Sequence, residues 1–165
     1  MSENQMCQIT ASVGQLTMSE EFLMRAIECL TEEDSQVIAP ETDTVAFTAC
    51  QQVAHIAWSV DWFVEGAFDP KGFKMDFEGE MEKIKAVTSP DVARKMVKDS
   101  YARAIARISA ASMEELMKPL PEGPVMGGCP RISIVGGIVE HTAHHRGALG
   151  IYARIAGKTP AMPYV

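Results

Sequence analysis

Apolar residues recur along the chain at helical spacing, and strand-like alternation is scarce. The first clear stripe predicts an amphipathic helix that ends near Thr31, and its apolar positions are Leu16, Leu23, Ile27 and Leu30. A polar connection containing Pro40 follows. The chain therefore opens with a helix that buries one face.

A second, more apolar helix is predicted from Asp43 to about Glu65. Thr42 or Asp43 is its predicted N-cap, because a side-chain oxygen at that position satisfies a free backbone N–H of the first turn. Apolar residues lie on most sides of this segment, which indicates a helix packed between neighbours. Trp58 and Trp62 are expected to belong to the core.

The middle of the chain begins with a break rich in turn residues at 66–72 and is predicted to contain at most a short helix around Glu80 to Val87. The sequence Ser89-Pro90-Asp91 then starts a third long helix, with an N-cap, a proline at the first helical position and an acid near the positive helix end. A capping box at residues 112–115 restarts or bends that helix.

A fourth long helix is predicted from Ile132 or Ser133 to Ala156, stopped by Gly157. Residues 119–130 before it are rich in proline and glycine and must form a loop. Four long amphipathic segments joined by medium connections predict an all-α four-helix bundle. The length of 165 residues fits one domain, residues 1–165.

Charge and hydropathy exclude two classes of binding partner. The formal net charge of −7 repels phosphate backbones, so we expect no nucleic-acid binding. No apolar run approaches the roughly 18 residues that span a bilayer, and the first twenty residues lack the basic start and apolar region of a signal peptide. We therefore expect a cytoplasmic protein with neither a membrane nor a nucleic acid as its partner.

Three of the four histidines fall within one five-residue stretch, residues 141–145, of the fourth predicted helix. His141 and His145 are four positions apart, so they share a helix face and can reach one metal ion. This spacing alone does not exclude His144 as an alternate ligand. His55 lies in the middle of the apolar second helix, where a buried imidazole needs a partner. The residues alone leave three alternatives: a shared metal, hydrogen-bonded core histidines, or a solvated cluster.

Two motifs resemble those of the DinB/YfiT-like family. The first is HTAHHRG at residues 141–147, followed by Tyr152, Arg154, Gly157, Pro160 and Pro163-Tyr164. The second is VAHIAW at residues 53–58, followed by Trp62. The resemblance covers nearly the whole chain and implies a four-helix bundle with a long crossover connection.

The resemblance also implies a divalent metal held by His55, His141 and His145, and a homodimer. Many family members have glutamine where this chain has Ala148, so the substrate class cannot be carried over. Three imidazoles with an open position are typical of a catalytic metal site, and both zinc and nickel accept imidazole ligands.

Relatives of this kind include isomerases and transferases that activate a low-molecular-weight thiol. The leading interpretation is therefore a metal-dependent thiol transferase or isomerase. The alternatives are a metal-activated hydrolase and a non-catalytic or regulatory metal-binding bundle. Small residues near the histidines predict a cavity beside the metal, and the candidate pocket residues are Ser59, Gly137, Ala148 and Tyr152.

Overall fold

The computed structural model describes residues 3–38 and 47–164. These residues form α-helices and two short 3-10 turns and contain no β-strand. The helices are α1 (Glu3–Ile27), α2 (Ala49–Phe68), α3 (Glu78–Lys85), α4 (Pro90–Ala110), α5 (Met113–Leu116) and α6 (Ile134–Ile155). The predicted all-α fold is confirmed.

The four long helices α1, α2, α4 and α6 form the bundle. Helix α1 packs mainly against α4 and α6, and α2 packs mainly against the same two helices. Helices α1 and α2 are consecutive in this set but are not main packing partners, and the same is true of α4 and α6. Consecutive long helices therefore lie diagonally in the bundle, and the described connection at residues 111–133 runs across it, as the expected crossover topology requires.

The start of α2 differs from the prediction. Thr42 and Asp43, the predicted N-caps, lie outside the described residues, and Phe47 and Thr48 are not helical. The N-cap is Thr48, whose hydroxyl accepts a hydrogen bond from the Gln51 N–H, while the Gln51 side-chain oxygen accepts one from the Thr48 N–H. This reciprocal capping box fixes the helix start several residues later than the first available polar side chain.

The other boundaries follow the sequence signals more closely. Helix α1 ends at Ile27, and a 3-10 turn at Glu32–Asp34 follows it. The predicted short helix is α3, displaced by two residues toward the N-terminus. Helix α4 begins at Pro90 with Ser89 as N-cap, although the Ser89 hydroxyl donates to the Glu32 carboxylate at 2.9 Å rather than capping the helix.

The connection into α6 is the predicted loop. Ser112 caps the short helix α5 by accepting a hydrogen bond from the Glu115 N–H. Residues 117–130 then lead through a 3-10 turn at Arg131–Ser133 into α6. Gly157 follows α6 with a φ of 73°, a left-handed conformation that glycine adopts without strain, and it ends the helix.

The core is filled by side chains from all four long helices, among them Leu16, Ile56, Ile108 and Leu149. Burial of these apolar surfaces is the main force that holds the helices together. Among the described residues, no helix combines the length and apolar character that a membrane span requires.

A chain of three buried hydroxyl groups also crosses the core. Tyr101 of α4 is fully buried, and its hydroxyl lies 2.9 Å from Ser19 Oγ on α1 and 2.8 Å from Thr142 Oγ1 on α6. The bond to Thr142 ties α6 to α4 at the position directly after His141.

Candidate metal centre

The histidines lie where α2 and α6 pack against each other. His55 is in the first half of α2, and His141 and His145 are on consecutive turns of α6. Each side chain is half-buried. The two helices therefore present three imidazoles to one another across their interface.

The three rings form a tight cluster. The ring centroids of His141 and His145 are 4.4 Å apart, and their Nε2 atoms are 3.1 Å apart. The His55 ring lies 5.2 Å from that of His141 and 4.8 Å from that of His145. One nitrogen from each ring can be chosen so that all three lie within 4.8 Å of one another. His144 is exposed, lies 4.9 Å from the His145 ring and is outside this group.

Burial keeps these imidazoles neutral. Desolvation lowers the pKa of His55 below its ordinary value of 6.5. Desolvation, with smaller contributions from the neighbouring histidines, lowers the pKa of His141 to about 4 and that of His145 to about 3. The cluster is therefore uncharged at neutral pH, and the neutral imidazole is the form that binds metal ions.

The hydrogen bonding of the cluster also fits a metal ion. Nδ1 of His55 is buried and has no hydrogen-bond partner among the described residues. Such an orphaned nitrogen is unusual in a protein interior. Nε2 of His141 and Nε2 of His145 face each other at 3.1 Å. Three converging imidazole nitrogens are a donor set that zinc and nickel accept, so the residues fit a divalent metal.

Comparison with known proteins agrees with this geometry. Residues 15–149 match the family model described as the DinB superfamily, and this match includes all three clustered histidines. The chain belongs to the DinB superfamily. No curated protein matches the chain.

Aromatic rings surround the cluster of this DinB-superfamily chain. The His55 ring stacks with the ring of Phe47 at 5.3 Å and with that of Trp58 at 5.8 Å. Phe63 meets His141 edge-on at 6.2 Å. Trp58 and Trp62 are half-buried rather than fully buried core residues, and they stack on each other at 6.0 Å. The expectation that the tryptophans only fill the core is wrong for Trp58, which contacts a histidine of the cluster.

Sequence reasoning missed one polar neighbour of the cluster. Gln52 of α2 is hydrogen-bonded through its amide group to Nδ1 of His145. The signal was available, because Gln52 is a polar residue within an apolar helix and lies three positions before His55. Buried polar residues in such helices need a specific partner.

Two of the four candidate pocket residues, Ser59 and Tyr152, have hydrogen-bond partners in the backbone. Ser59 donates a hydrogen bond to the backbone oxygen of His55 at 2.8 Å, and Tyr152 donates one to the backbone oxygen of Phe47 at 3.1 Å. Ala148 is half-buried on α6. Ser59 and Tyr152 therefore hold the backbone that carries His55 and Phe47.

Gly137 faces side chains of the DinB-superfamily bundle. A Cβ atom there would lie 3.1 Å from Phe63 Cε1 and 3.2 Å from Met126 Sδ, closer than ordinary van der Waals contact. The glycine therefore admits Phe63 and the loop residue Met126 close to α6.

The Gly137→Leu substitution tests this close approach. Because the added side chain must displace Phe63 and Met126, we expect it to lower the free energy of unfolding by about 1–3 kcal/mol. Urea unfolding of the two proteins measures the difference. Gly136→Leu is the matched control, since a Cβ at Gly136 meets nothing within 4 Å. Equal stabilities of the Gly136 and Gly137 variants would show that the space beside Gly137 is open.

Proposed function

We propose that the chain binds one divalent metal ion through His55, His141 and His145 and uses it to catalyse a reaction of a small molecule. The observation that carries this proposal is the convergence of three neutral imidazole nitrogens within 4.8 Å from two helices of the bundle. Membership of the DinB superfamily is compatible with it.

The number of ligands supports a catalytic rather than a purely structural role. Structural zinc sites use four protein ligands, whereas catalytic sites use three and leave a position for water or substrate. Within the described part of the chain, the cluster consists of three histidines, with no cysteine or carboxylate among its members. When bound, the metal would supply a Lewis acid that lowers the pKa of a thiol or a water molecule at the remaining position.

The surroundings of the cluster favour thiol chemistry over hydrolysis. Hydrolysis is commonly assisted by a carboxylate that acts as a general base, and no carboxylate joins the three histidines among the residues that the structure describes. A thiol ionises more easily than water and needs less assistance. The rings of Phe47, Trp58 and Phe63 provide apolar walls for a substrate. We therefore propose a transferase or isomerase that activates a low-molecular-weight thiol, with zinc or nickel as its metal.

Metal binding is tested by elemental analysis and by titration of the metal-free chain with Zn²⁺ and Ni²⁺. We expect about one ion per chain for the wild type. His55→Ala, His141→Ala and His145→Ala should each lose most of the affinity, because each removes one of three ligands. Affinity should also fall at acidic pH, where protons compete for the imidazoles, but only well below 6.5, because burial lowers the pKa of His141 to about 4 and that of His145 to about 3.

His144→Ala is the matched control, since His144 is adjacent to His145 but exposed and outside the cluster. It should bind metal like the wild type. Loss of metal in His144→Ala together with retention in His145→Ala would overturn the ligand assignment.

The reaction class is tested on the metal-loaded protein. Low-molecular-weight thiols are supplied with small electrophiles, and thioether formation or thiol-dependent isomerisation is followed. Turnover that requires both the metal and the thiol is the expected result. Metal-dependent ester or amide cleavage without a thiol would indicate a hydrolase, and metal binding without either reaction would indicate a non-catalytic bundle.

A further inference from the structure

Gln52 is a buried amide on the side of α2 that faces α6. The residue is 7% exposed, and its amide group is hydrogen-bonded to Nδ1 of His145. A buried polar group destabilises the fold unless it is hydrogen-bonded, so the bond to the imidazole accounts for glutamine at this position. The contact joins the helix that carries His55 to a histidine of the other helix.

The bond engages the ring nitrogen that points away from the cluster. Nε2 of His145 lies 3.1 Å from Nε2 of His141, whereas Nδ1 faces Gln52. A neutral imidazole has one N–H and one nitrogen with a free lone pair. The group that occupies Nδ1 therefore decides whether Nε2 is free to bind a metal.

A primary amide can serve either form of the ring. In the structure its NH₂ group faces Nδ1 of His145, which suits an unprotonated Nδ1. After a half-turn about the terminal side-chain bond, its carbonyl oxygen accepts a hydrogen bond from Nδ1–H. In the second arrangement the lone pair of Nε2 is directed toward His141. Outer partners of this kind orient the ring and select the tautomer of metal-binding histidines.

We propose that Gln52 is the positioning residue of the three-histidine site: its carbonyl oxygen accepts the Nδ1–H of His145 when Nε2 binds the metal. The inference rests on the proposed metal-binding function. Because glutamine can also donate, it keeps His145 hydrogen-bonded in the metal-free protein as well. A carboxylate could only accept, and an apolar residue would leave Nδ1 without a partner.

The first measurement is Zn²⁺ affinity, determined by competition with a chromophoric chelator. Gln52→Leu should bind Zn²⁺ roughly 10–100-fold more weakly than the wild type, the usual effect of removing such an outer partner. Gln52→Glu should retain wild-type affinity or exceed it, because the carboxylate accepts the same Nδ1–H. Ser100→Ala is the control: Ser100 is fully buried on α4, donates to the backbone oxygen of Val97 at 3.0 Å, and should leave the affinity unchanged.

The second measurement is nuclear magnetic resonance of the Zn²⁺-loaded chain with isotope-labelled histidine. In the wild type, the proton of His145 should reside on Nδ1 and exchange slowly with water. In Gln52→Leu this exchange should be faster, and in Gln52→Glu it should again be slow. A residue that only stabilised the fold would not change the exchange of this single proton.

The outcomes separate the inference from the function on which it rests. If the wild type binds Zn²⁺ but Gln52→Leu binds it equally well, or if His145 binds the metal through Nδ1, the positioning role is wrong and metal binding stands. If the wild type takes up no Zn²⁺, the proposed function fails, and the positioning role fails with it.

Discussion

The metal-free protein should lose conformational stability as the pH falls from 6.5 toward 5. Burial lowers the pKa of His141 to about 4 and that of His145 to about 3, and it also lowers the pKa of His55, from an ordinary value of 6.5. Below pH 6.5 the unfolded chain therefore binds protons that the folded chain does not. Stability must then decrease as protons are added, because protonation favours the unfolded state.

The size of this effect has an upper bound. Each histidine can contribute at most about 1.4 kcal/mol per pH unit, and the partial exposure of the rings reduces the contribution. Urea unfolding at a series of pH values, in the presence of a chelator, measures the slope. Replacing His141 and His145 together by alanine should flatten it, whereas His144→Ala should retain the wild-type slope. Burial raises the pKa of Glu20, so protonation of this carboxyl favours the folded state and opposes the effect. A full wild-type slope in the double variant would show that His141 and His145 do not cause it.

The Tyr101→Phe substitution should cause a large loss of stability, although it removes only one oxygen atom. Tyr101, Ser19 and Thr142 are buried, and the tyrosine hydroxyl is hydrogen-bonded to both other hydroxyls. Phenylalanine would leave two buried hydroxyl groups without this partner. Each unsatisfied group costs about 1–3 kcal/mol, so we expect the free energy of unfolding to fall by roughly 2–6 kcal/mol.

Removing all three hydroxyl groups is the informative comparison. The triple variant Ser19→Ala, Tyr101→Phe, Thr142→Val no longer buries an unpaired polar group and should recover most of the lost stability. Chemical denaturation of the wild type, the single variant and the triple variant gives the three free energies. A triple variant less stable than Tyr101→Phe would mean that packing, rather than hydrogen bonding, governs this part of the core.

The helices were largely predictable because their signals are local. The Ser89-Pro90-Asp91 start, the capping residue Ser112 and the stop at Gly157 all act within one helical turn, and the structure confirms each boundary. The start of α2 was mispredicted because several polar residues compete as N-caps. Thr48 and Gln51 satisfy each other's backbone groups reciprocally, and a search for the whole capping box would have found them.

The site was predictable only in part. Spacing on one helix places His141 and His145 together, since both side chains lie on one face. It could not bring His55 to them, because this meeting depends on which sides of α2 and α6 pack together, and α2 is apolar on most sides. The family resemblance supplied that link. The contacts of Gln52 with His145 and of Gly137 with Phe63 depend on the final packing of side chains, which no sequence spacing encodes.

The stacking of Trp58 on His55 gives the protein an internal optical signal. The chain has two tryptophans, and they lie against each other with Trp58 next to the histidine. Indole fluorescence is sensitive to the charge and electronic state of a ring in contact with it. We therefore expect a proton or a ligand on His55 to change the emission of Trp58 more than that of Trp62. The state of the buried cluster can be followed by light, without a label.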